Sequence, residues 1–425
     1  MAACTTAGPT ASSTQAPTLS DNRYRQVNLA ANAEAYKARF TVPEMVNAWG
    51  IAIRPKGAGG HFWVSAGAAS YEFVGDVTAS GDQKLRELFQ DPLKAVTIPG
   101  TDTKTDTTSV GKATGVIFNS ADINSDKFVV TNQQAQVDGR TVALGGSARF
   151  IFVTDSGRIA GWGERGPDGT VVRVNGPSQE VFNGEPQGMK FFGVALKQDS
   201  VDTLWAADFG AQPQIRQFDK NWKLVPTQGF ANPFATGAPA DLAKGKLPKA
   251  GDPVPFNITT VGDRVFVSYA ISKPPKEPVP GGPAFDVGEE DSLNKEQEKA
   301  TEGHPGKGKL AEFTSTGALV RVFDDDARLN APWGVTVAPA SFGSLGGKVL
   351  VGNFGGAGRI AAFDDTTGKF VDYLRDEAGA PIGIDGIWNI LFGNGESLGD
   401  ADALYFAAGP ADEKEALFGA LRVVR

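Results

Sequence analysis

The segment NAWGIAIR at residues 47–54 returns almost unchanged as NAPWGVTVAP at residues 330–339. Both copies place a glycine directly after a tryptophan, inside a short apolar run. Two such copies in one chain indicate a repeated structural unit, because equivalent units bury equivalent faces against one another. Function is then expected where the repeated units converge.

Alignment on this segment recovers six short apolar segments, each followed by a second one after a turn that contains Gly or Asp. A third and usually a fourth segment follow, and the last two are joined by hairpin turns with Asx and Gly. The predicted first strands are WGIAI (49–53), TGVIF (114–118), FGVAL (192–196), FNITT (256–260), WGVTV (333–337) and WNILF (388–392). The predicted second strands are FWVSA (62–66), FVVTN (128–132), LWAAD (204–208), VFVSY (265–269), VLVGN (349–353) and LYFAA (404–408).

Six units of four short antiparallel strands predict an all-β fold, a six-bladed β-propeller. The sixth unit lacks a fourth strand after LFGALRVV, so the N-terminal segment YRQVNLA (24–30) is predicted to supply it and close the ring. Four first strands have glycine at their second position, which allows the backbones to crowd around a central channel. Asn257 and Asn389 occupy that position in the fourth and sixth units.

Composition narrows the classes of partner. The chain of 425 residues carries a formal net charge of −8, which argues against nucleic acid because phosphate binding normally needs a basic surface. No apolar run of the sequence approaches the roughly 18 residues of a membrane-spanning helix. A single cysteine leaves no disulfide within the chain.

Residues 1–22, MAACTTAGPTASSTQAPTLSDN, are predicted to be a flexible tether, since small residues with Thr, Ser and Pro cannot form a core. The sequence AAC resembles the end of a bacterial lipoprotein signal, in which Cys4 would carry lipid. This interpretation implies a cell-envelope or secreted location, with membrane contact only through that anchor. The alternative is a frayed terminus with an incidental cysteine.

Residues 23–425 are predicted to form one propeller, with a charged insertion at about residues 271–309 in the fourth unit. Long loops of this kind are usually either functional or disordered. Two interpretations are open, a lid over the channel mouth and a mobile surface loop. His304 lies in this insertion and is the histidine that we expect to reach a site beneath such a lid.

Several segments resemble a bacterial family of uncharacterised secreted β-propeller proteins, namely VNAWGIAI, LNAPWGVTVAPASFG, IWNILFGNG and LYFAAGPADEKEALFGAL. The resemblance covers almost the whole folded part. In two places the chain departs from the family: the first unit reads VSAGAAS where an Asp-Asn-Gly run is usual, and the fourth carries the charged insertion. The resemblance implies the propeller fold and an envelope or secreted location, and it implies no particular chemistry.

Polar residues are predicted to converge where first strands begin and second strands end, which we call the upper face. Asn and Asp oxygens suit Ca²⁺, which takes six to eight oxygen ligands in flexible geometry. The alternative is that each residue bonds to its local backbone. The candidates for ligand binding are Asn47, Asn132, Asp208, Asn257, Tyr269, Asn330, Asn353, Asp385 and Asn389.

Three of these residues, Asn257, Asn389 and Asp385, are also candidates for ligands of a calcium-like divalent ion. Asn257 and Asn389 are expected just inside the channel, where a buried amide must be hydrogen-bonded. Their partners would be neighbouring strands, a channel water or a bound ion, and all three interpretations are open.

Two functional hypotheses follow. The first is a monomeric cell-envelope binding protein that holds a small molecule, glycan or protein at the upper face or in the channel. The second is a calcium-assisted hydrolase or lyase of the lactonase kind with its site in the channel mouth, by analogy of fold alone. The scarcity of histidine and cysteine disfavours imidazole acid–base and thiol chemistry, so an enzyme would use a metal with Asp or Glu as base. The binding protein is favoured because the sequence shows no clustered Glu, Asp and His set typical of a hydrolytic centre.

Overall fold

The structure is a computed structural model that describes residues 19, 21–101, 111–241, 245–278, 280 and 285–425. Cys4 and most of the expected tether lie outside the described residues. Asn22 is buried and donates from Nδ2 to the Tyr373 carbonyl at 2.7 Å. Leu19 also packs against the core between blades five and six, so the described residues at the end of that expected tether belong to the folded domain.

Six sheets form a ring, which confirms the six-bladed β-propeller. Each first strand contacts the first strand of the next blade, and the sixth contacts the first. Blade one consists of Ala48–Ala52, Phe62–Ala66, Ala69–Phe73 and Ala95–Thr97. Blade two consists of Ala113–Phe118, Phe150–Thr154, Arg158–Trp162 and Gln179–Asn183. Blade three consists of Phe191–Leu196, Thr203–Asp208, Gln214–Asp219 and Leu224–Val225. Blade four consists of Pro253–Val261, Arg264–Ile271, Gly308–Phe313 and Leu319–Val322. Blade five consists of Pro332–Val337, Val349–Asn353, Ile360–Phe363 and Phe370–Tyr373. Blade six consists of Ile387–Phe392, Ala403–Ala408, Leu417–Val423 and Tyr24–Ala31.

Short elements decorate the ring. One short strand extends the outer edge of blade one and another that of blade six, two further strand pairs form separate two-stranded sheets, and short helical segments lie in the loops. The additional strands are Phe40–Thr41, Val129–Val137, Arg140–Ser147, Gly176–Pro177, Pro239–Asp241 and Gly245–Lys246. The helical turns are Glu34–Tyr36, Gln83–Arg86, Glu185–Gln187, Lys295–Ala300, Gly343–Leu345 and Pro410–Glu413. None of the helices in the described ranges has the length and apolar character needed to cross a membrane.

The N-terminal strand closes the ring, as the sequence predicts. Tyr24–Ala31 pairs antiparallel with Leu417–Val423, and a bulge follows Asn28. Tyr24 is buried, stacks on Phe342 at 4.5 Å between ring centroids and donates its hydroxyl to the Phe342 carbonyl at 3.1 Å. The two ends of the domain are therefore held in a single blade.

The predicted second strand of the second unit, FVVTN at 128–132, is wrong. Val129–Val137 instead pairs with Arg140–Ser147 in a separate hairpin, and Phe150–Thr154 is the strand that pairs with Ala113–Phe118. All five side chains of Phe150–Thr154 are buried, whereas four of the nine residues of Val129–Val137 are exposed. The strand with more apolar surface to bury takes the place in the blade.

Most of the core lies between neighbouring blades, where apolar faces pack against each other. In blade one, Trp63 stacks on Phe150 of blade two at 4.0 Å between ring centroids. Burial of a large apolar side chain stabilises a fold by roughly 1.5–3 kcal/mol. The inward-facing first strands are thus fixed by contacts on both sides, which gives the channel a defined shape.

Candidate functional site

Aromatic rings fill the upper half of the channel. In five blades the residue before the glycine or asparagine of the first strand is Trp or Phe, and in blade two it is Thr114. Trp388 stacks on Trp49 at 3.7 Å and on Phe354 at 3.9 Å between ring centroids. We call this set the aromatic plug; its members from the first strands are Trp49, Phe192, Phe256, Trp333 and Trp388.

A cavity of about 350 Å³ lies below the plug, in the half of the channel formed by the ends of the first strands. Its wall is aliphatic with a few amide and hydroxyl groups, and each described lining residue is uncharged. We call this space the lower cavity. Its main lining residues are Ile51, Val116, Val194, Asn257, Thr259, Thr260, Trp333, Asn389 and Leu391.

Asn257 and Asn389 lie in the wall of this cavity, and their amides tie neighbouring blades together. Asn257 donates from Nδ2 to the Trp333 carbonyl of blade five at 2.9 Å. Asn389 donates from Nδ2 to the Ile51 carbonyl of blade one at 2.9 Å. Each Oδ1 accepts from the backbone NH of the following residue at 2.8 Å. Of the interpretations left open by the sequence, the structure shows the bonds to neighbouring strands.

The glycines at the equivalent position allow the close approach that the sequence suggests. A methyl group on Gly50 would lie 2.9 Å from the backbone nitrogen of Val116 in blade two. On Gly193 it would lie 2.8 Å from the Cα atom of Asn257. Both separations are shorter than carbon–carbon or carbon–nitrogen contact allows. A side chain is therefore accommodated at this position only where the next blade leaves room.

On the upper face, Asn47 connects the aromatic plug to an acidic turn. Its Oδ1 accepts from the indole Nε1 of Trp388 at 2.8 Å, and its Nδ2 donates to Oε1 of Glu413 at 2.9 Å. Asn47 has a φ of 49°, and Ala411, Asp412 and Glu413 have φ values of 56°, 54° and 63°. Non-glycine residues in this region are uncommon and concentrate at functional sites. This pattern marks the upper mouth as a candidate site.

Two carboxyl groups at this mouth have strongly perturbed acidity. Burial, with the nearby carboxylate of Glu290 as the second cause, raises the pKa of Glu413 to about 7. Burial likewise raises the pKa of Glu290 to about 7, with Glu289 adding to the effect and Lys273 opposing it. Both side chains are only partly exposed. Near neutral pH each group can therefore hold or release a proton.

Asp155 is a third carboxylate whose charge reaches Glu413. It follows the second strand of blade two and accepts from the backbone NH groups of Gly111 and Lys112, both at 2.6 Å. Burial raises its pKa despite these bonds. Thr154 is the last residue of this strand and takes the place in the repeat at which Asn132 was predicted, so Asp155 lies one residue beyond the predicted position.

The remaining predicted residues do not form one site. Asp208 accepts from the backbone NH of Lys190 at 3.0 Å and from Arg216 at 2.8 Å. Asp385 is exposed and accepts from the Ala411 NH at 3.1 Å.

Tyr269 is buried between blades three and four, with its ring 4.9 Å from that of Phe234. Asn132 is exposed on the separate hairpin, away from any second-strand end. Neither side chain lies at the mouth.

Asn330 and Asn353 belong to a bonded network on the upper face. Asn353 accepts from the backbone NH of Asn330 at 3.1 Å, and Asn330 accepts from that of Leu293 at 3.0 Å. Leu293 belongs to the insertion of blade four. The two asparagines therefore act as anchors for that insertion.

The described part of the insertion packs on the upper face. Its helix Lys295–Ala300 begins at a capping box of Asn294 and Gln297. Glu298 is buried and accepts from the Ala357 NH of blade five at 2.6 Å, and the Gly288 NH donates to the Phe209 carbonyl of blade three at 3.1 Å. The described part of the insertion, which includes Glu290, thus contacts blades three and five across the upper face. A lid over the channel mouth would need contacts of this kind.

His304 does not reach the mouth. Its side chain is partly exposed, and Nδ1 lies 2.8 Å from the Asp326 carbonyl, in the connection between blades four and five. The expectation that His304 reaches a site beneath the lid is therefore wrong, and the described groups at the mouth whose pKa is raised are the carboxyls of Glu290, Glu413 and Asp155.

The calcium-like ion stays a prediction. Among the described residues, no group of three His, Cys, Asp or Glu side chains is placed to hold a metal ion. Asn257 and Asn389 use their amides between blades, and Asp385 bonds to the acidic turn. The three candidate ligands thus have separate protein partners.

A ring of six four-stranded antiparallel sheets around a channel defines the class of this protein as a six-bladed β-propeller. The chain is 25% identical to an uncharacterised protein of Acanthamoeba polyphaga mimivirus over 403 residues, 93% of this chain and 80% of that protein. Another uncharacterised protein of the same virus is 30% identical over 225 residues, 52% of this chain and 49% of the relative. No family model matches the sequence.

Solved propellers share a low overall similarity with this chain. The WD40 β-propeller domain of Doa1 matches with a TM-score of 0.40 and 8% identity over 88% of this chain and 93% of that one. BamB from Moraxella catarrhalis matches with a TM-score of 0.37 and 12% identity over 96% of this chain and 98% of that one.

Proposed function

We propose that this protein binds a small uncharged molecule in the lower cavity of its channel. The observation that carries the proposal is a concave space of about 350 Å³ that is lined by aliphatic, amide and hydroxyl groups. Ligand sites in proteins are concave, mostly apolar and within about 300–1,000 Å³, with a few polar groups that fix orientation. The lower cavity has each of these properties.

The chemistry of the wall selects the ligand class. A charged molecule would lose its hydration without gaining an opposite charge, because the described lining residues are uncharged. The hydroxyl groups of Thr259 and Thr260 offer hydrogen bonds, while Ile51, Val116 and Leu391 offer apolar contact. An apolar molecule with one or two neutral polar groups is therefore the best match.

Paired fluorescent probes test this proposal. N-phenylnaphthylamine is uncharged, and anilinonaphthalene sulfonate is the same skeleton with a negative charge. We expect the uncharged probe to bind with at least tenfold higher affinity. The variant Leu391→Trp fills part of the cavity, so it should weaken binding of the uncharged probe by tenfold or more.

Leu319→Trp is the matched control, since Leu319 is 48% exposed on the outer strand of blade four. It should bind the uncharged probe as the unmodified protein does. Equal affinity for both probes, or unchanged binding by Leu391→Trp when its unfolding curve is normal, would contradict binding in the cavity. Once the probe site is established, uncharged metabolites can be ranked by displacement of the probe.

The cell-envelope location depends on the sequence around Cys4 and on the family resemblance, and it stays a proposal. Incorporation of labelled palmitate into the chain when it is produced behind a bacterial lipoprotein leader, lost in Cys4→Ser, is the result expected of a lipid-anchored protein. Equal labelling of the two proteins would contradict the anchor.

A further inference from the structure

Glu72 is an isolated carboxyl group in the interior of the protein. It lies in the third strand of blade one with 0% of its surface exposed, and neither carboxylate oxygen has a hydrogen-bond partner among the described residues. No lysine, arginine or histidine in the described ranges forms an ion pair with it. By contrast, the buried Glu298 and Asp208 both accept backbone hydrogen bonds. Glu72 therefore needs a separate explanation.

Two serine hydroxyls share the environment of Glu72. Ser65 and Ser70 are both 0% exposed, and neither Oγ atom has a hydrogen-bond partner in the described part of the chain. Ser65 pairs directly with Ser70 across the second and third strands, and Trp63 pairs with Glu72. Because directly paired residues and residues two apart lie on one face of a sheet, these four side chains are neighbours.

This face lies against blade two. The indole of Trp63 packs on Phe150 and Trp162, with ring centroids 4.0 and 4.8 Å away. Four oxygens from Ser65, Ser70 and Glu72 are thus enclosed between two blades. The Ser70 hydroxyl lies close enough to the Glu72 carboxyl to oppose part of the rise that burial causes in its pKa, and no described lysine, arginine or histidine forms an ion pair with that carboxyl.

A buried carboxylate is stable only when a proton or a cation neutralises it. Among the described residues, no cation is paired with Glu72. Asp91 acts on Glu72 through its negative charge and is itself paired with His61 at 2.9 Å. Arg54 is paired with Glu164 at 2.7 Å, and Lys94, which precedes the strand Ala95–Thr97, is exposed.

We propose that Ser65, Ser70 and Glu72 form a binding site for a small monovalent cation such as Na⁺. Hard cations prefer carboxylate and hydroxyl oxygens, and one carboxylate balances one positive charge. A divalent ion would leave a net charge buried between the blades, which is costly. The site would fasten blade one to blade two, on the opposite side of the ring from the insertion of blade four.

The proton and the cation compete for Glu72 at such a site. At low pH the carboxyl group is protonated and the cation is excluded, whereas at high pH the cation binds and stabilises the fold by mass action. The stability of the protein should therefore depend on which cation is present at pH 9, and it should not depend on the cation at pH 5.

The test is thermal unfolding of the full chain in NaCl and in choline chloride at equal ionic strength. At pH 9 we expect a Tm higher by a few degrees in NaCl, with no difference at pH 5. Glu72→Gln should remove the difference at pH 9, and so should the double variant Ser65→Ala and Ser70→Ala. Glu298→Gln, which alters another buried glutamate, should retain it.

Broadening of the ²³Na resonance at pH 9 provides a direct readout that does not depend on the stability of a variant. The proposal is overturned if the unmodified protein has the same Tm in both salts at pH 9, since a proton or water then satisfies Glu72. It is also overturned if the folded Glu72→Gln or double-serine variant keeps the full response to Na⁺.

Discussion

Asn257 and Asn389 each replace a glycine of the repeat with an amide that bonds to the next blade. We expect Asn389→Ala to lower the free energy of unfolding by about 1–3 kcal/mol, because the buried Ile51 carbonyl loses its donor. The same substitution at Asn257 should cost less, since Ser268 also donates to the Trp333 carbonyl, at 3.2 Å. Urea unfolding of both variants measures the two values.

Asn132→Ala is the control for these substitutions, because Asn132 is exposed on the separate hairpin. Its effect should stay within about 0.5 kcal/mol, as for other surface substitutions. A loss at Asn389 no larger than at Asn132 would show that the bond between blades contributes nothing to stability.

At the scale of residues, the place of a side chain in the fold could be predicted from the sequence better than the residues that it contacts. The repeat placed Asn257 and Asn389 in the channel wall, because the period of the first strand fixes which residue faces the axis. It could not show that Glu290 and Glu413 lie near each other, since Glu290 belongs to the insertion of blade four and Glu413 to a turn of blade six, and the path of the insertion across the upper face brings them together. Three positive φ values in ADE, residues 411–413, leave no signal in the sequence.

The acidic turn Pro410–Glu413 and the insertion of blade four meet through these two carboxyls. The pKa of Glu413 is raised to about 7, so the folded protein holds a proton that the unfolded chain releases above its ordinary pKa of 4.5. The contribution of protonated Glu413 to the free energy of unfolding is therefore fully present below about pH 4.5, and it is lost as the pH rises to about 7. We expect Glu413→Gln to raise Tm at pH 8 and to leave it nearly unchanged at pH 4.

Glu277→Gln provides the matched comparison, because Glu277 is an exposed glutamate of the same insertion. It should change Tm equally at both pH values. A Glu413→Gln variant whose difference from the unmodified protein does not depend on pH would show that Glu413 is ionised like a surface residue. Hydrogen exchange of Lys295–Ala300 at pH 6 and pH 8 would then show whether the charge also loosens the insertion.

At the scale of elements, the period of the repeat predicted five of the six second strands correctly. Blade two failed because the first apolar segment after TGVIF belongs to an inserted hairpin, and local pattern does not distinguish a hairpin strand from a blade strand. The difference lies in burial, since FIFVT at 150–154 has five apolar or small residues without an exposed polar side. A comparison of whole-segment hydrophobicity would have favoured it.

At the scale of the whole molecule, stability depends on the N-terminal strand, because this strand closes the ring. Tyr24–Ala31 is the outermost regular strand against Leu417–Val423, and residues at both of its ends are buried. The N-terminal strand completes blade six and the chain then continues into blade one, so this strand holds the two blades together. Without it, the sheet of blade six would have an open edge. A chain that begins at residue 19 should therefore unfold at the same urea concentration as the full chain.

A chain that begins at Asn32 should lose cooperative unfolding, because it removes the strand and the buried Tyr24 together. A synthetic peptide of residues 19–31 should restore the transition when it is added in excess, since the empty edge offers the same backbone bonds. The control peptide carries Tyr24→Ala, which removes the ring that stacks on Phe342. It should require a much higher concentration, as large-to-small substitutions of buried aromatic residues cost about 3–5 kcal/mol. Equal rescue by both peptides, or normal unfolding of the shortened chain alone, would show that the other strands hold the ring closed without it.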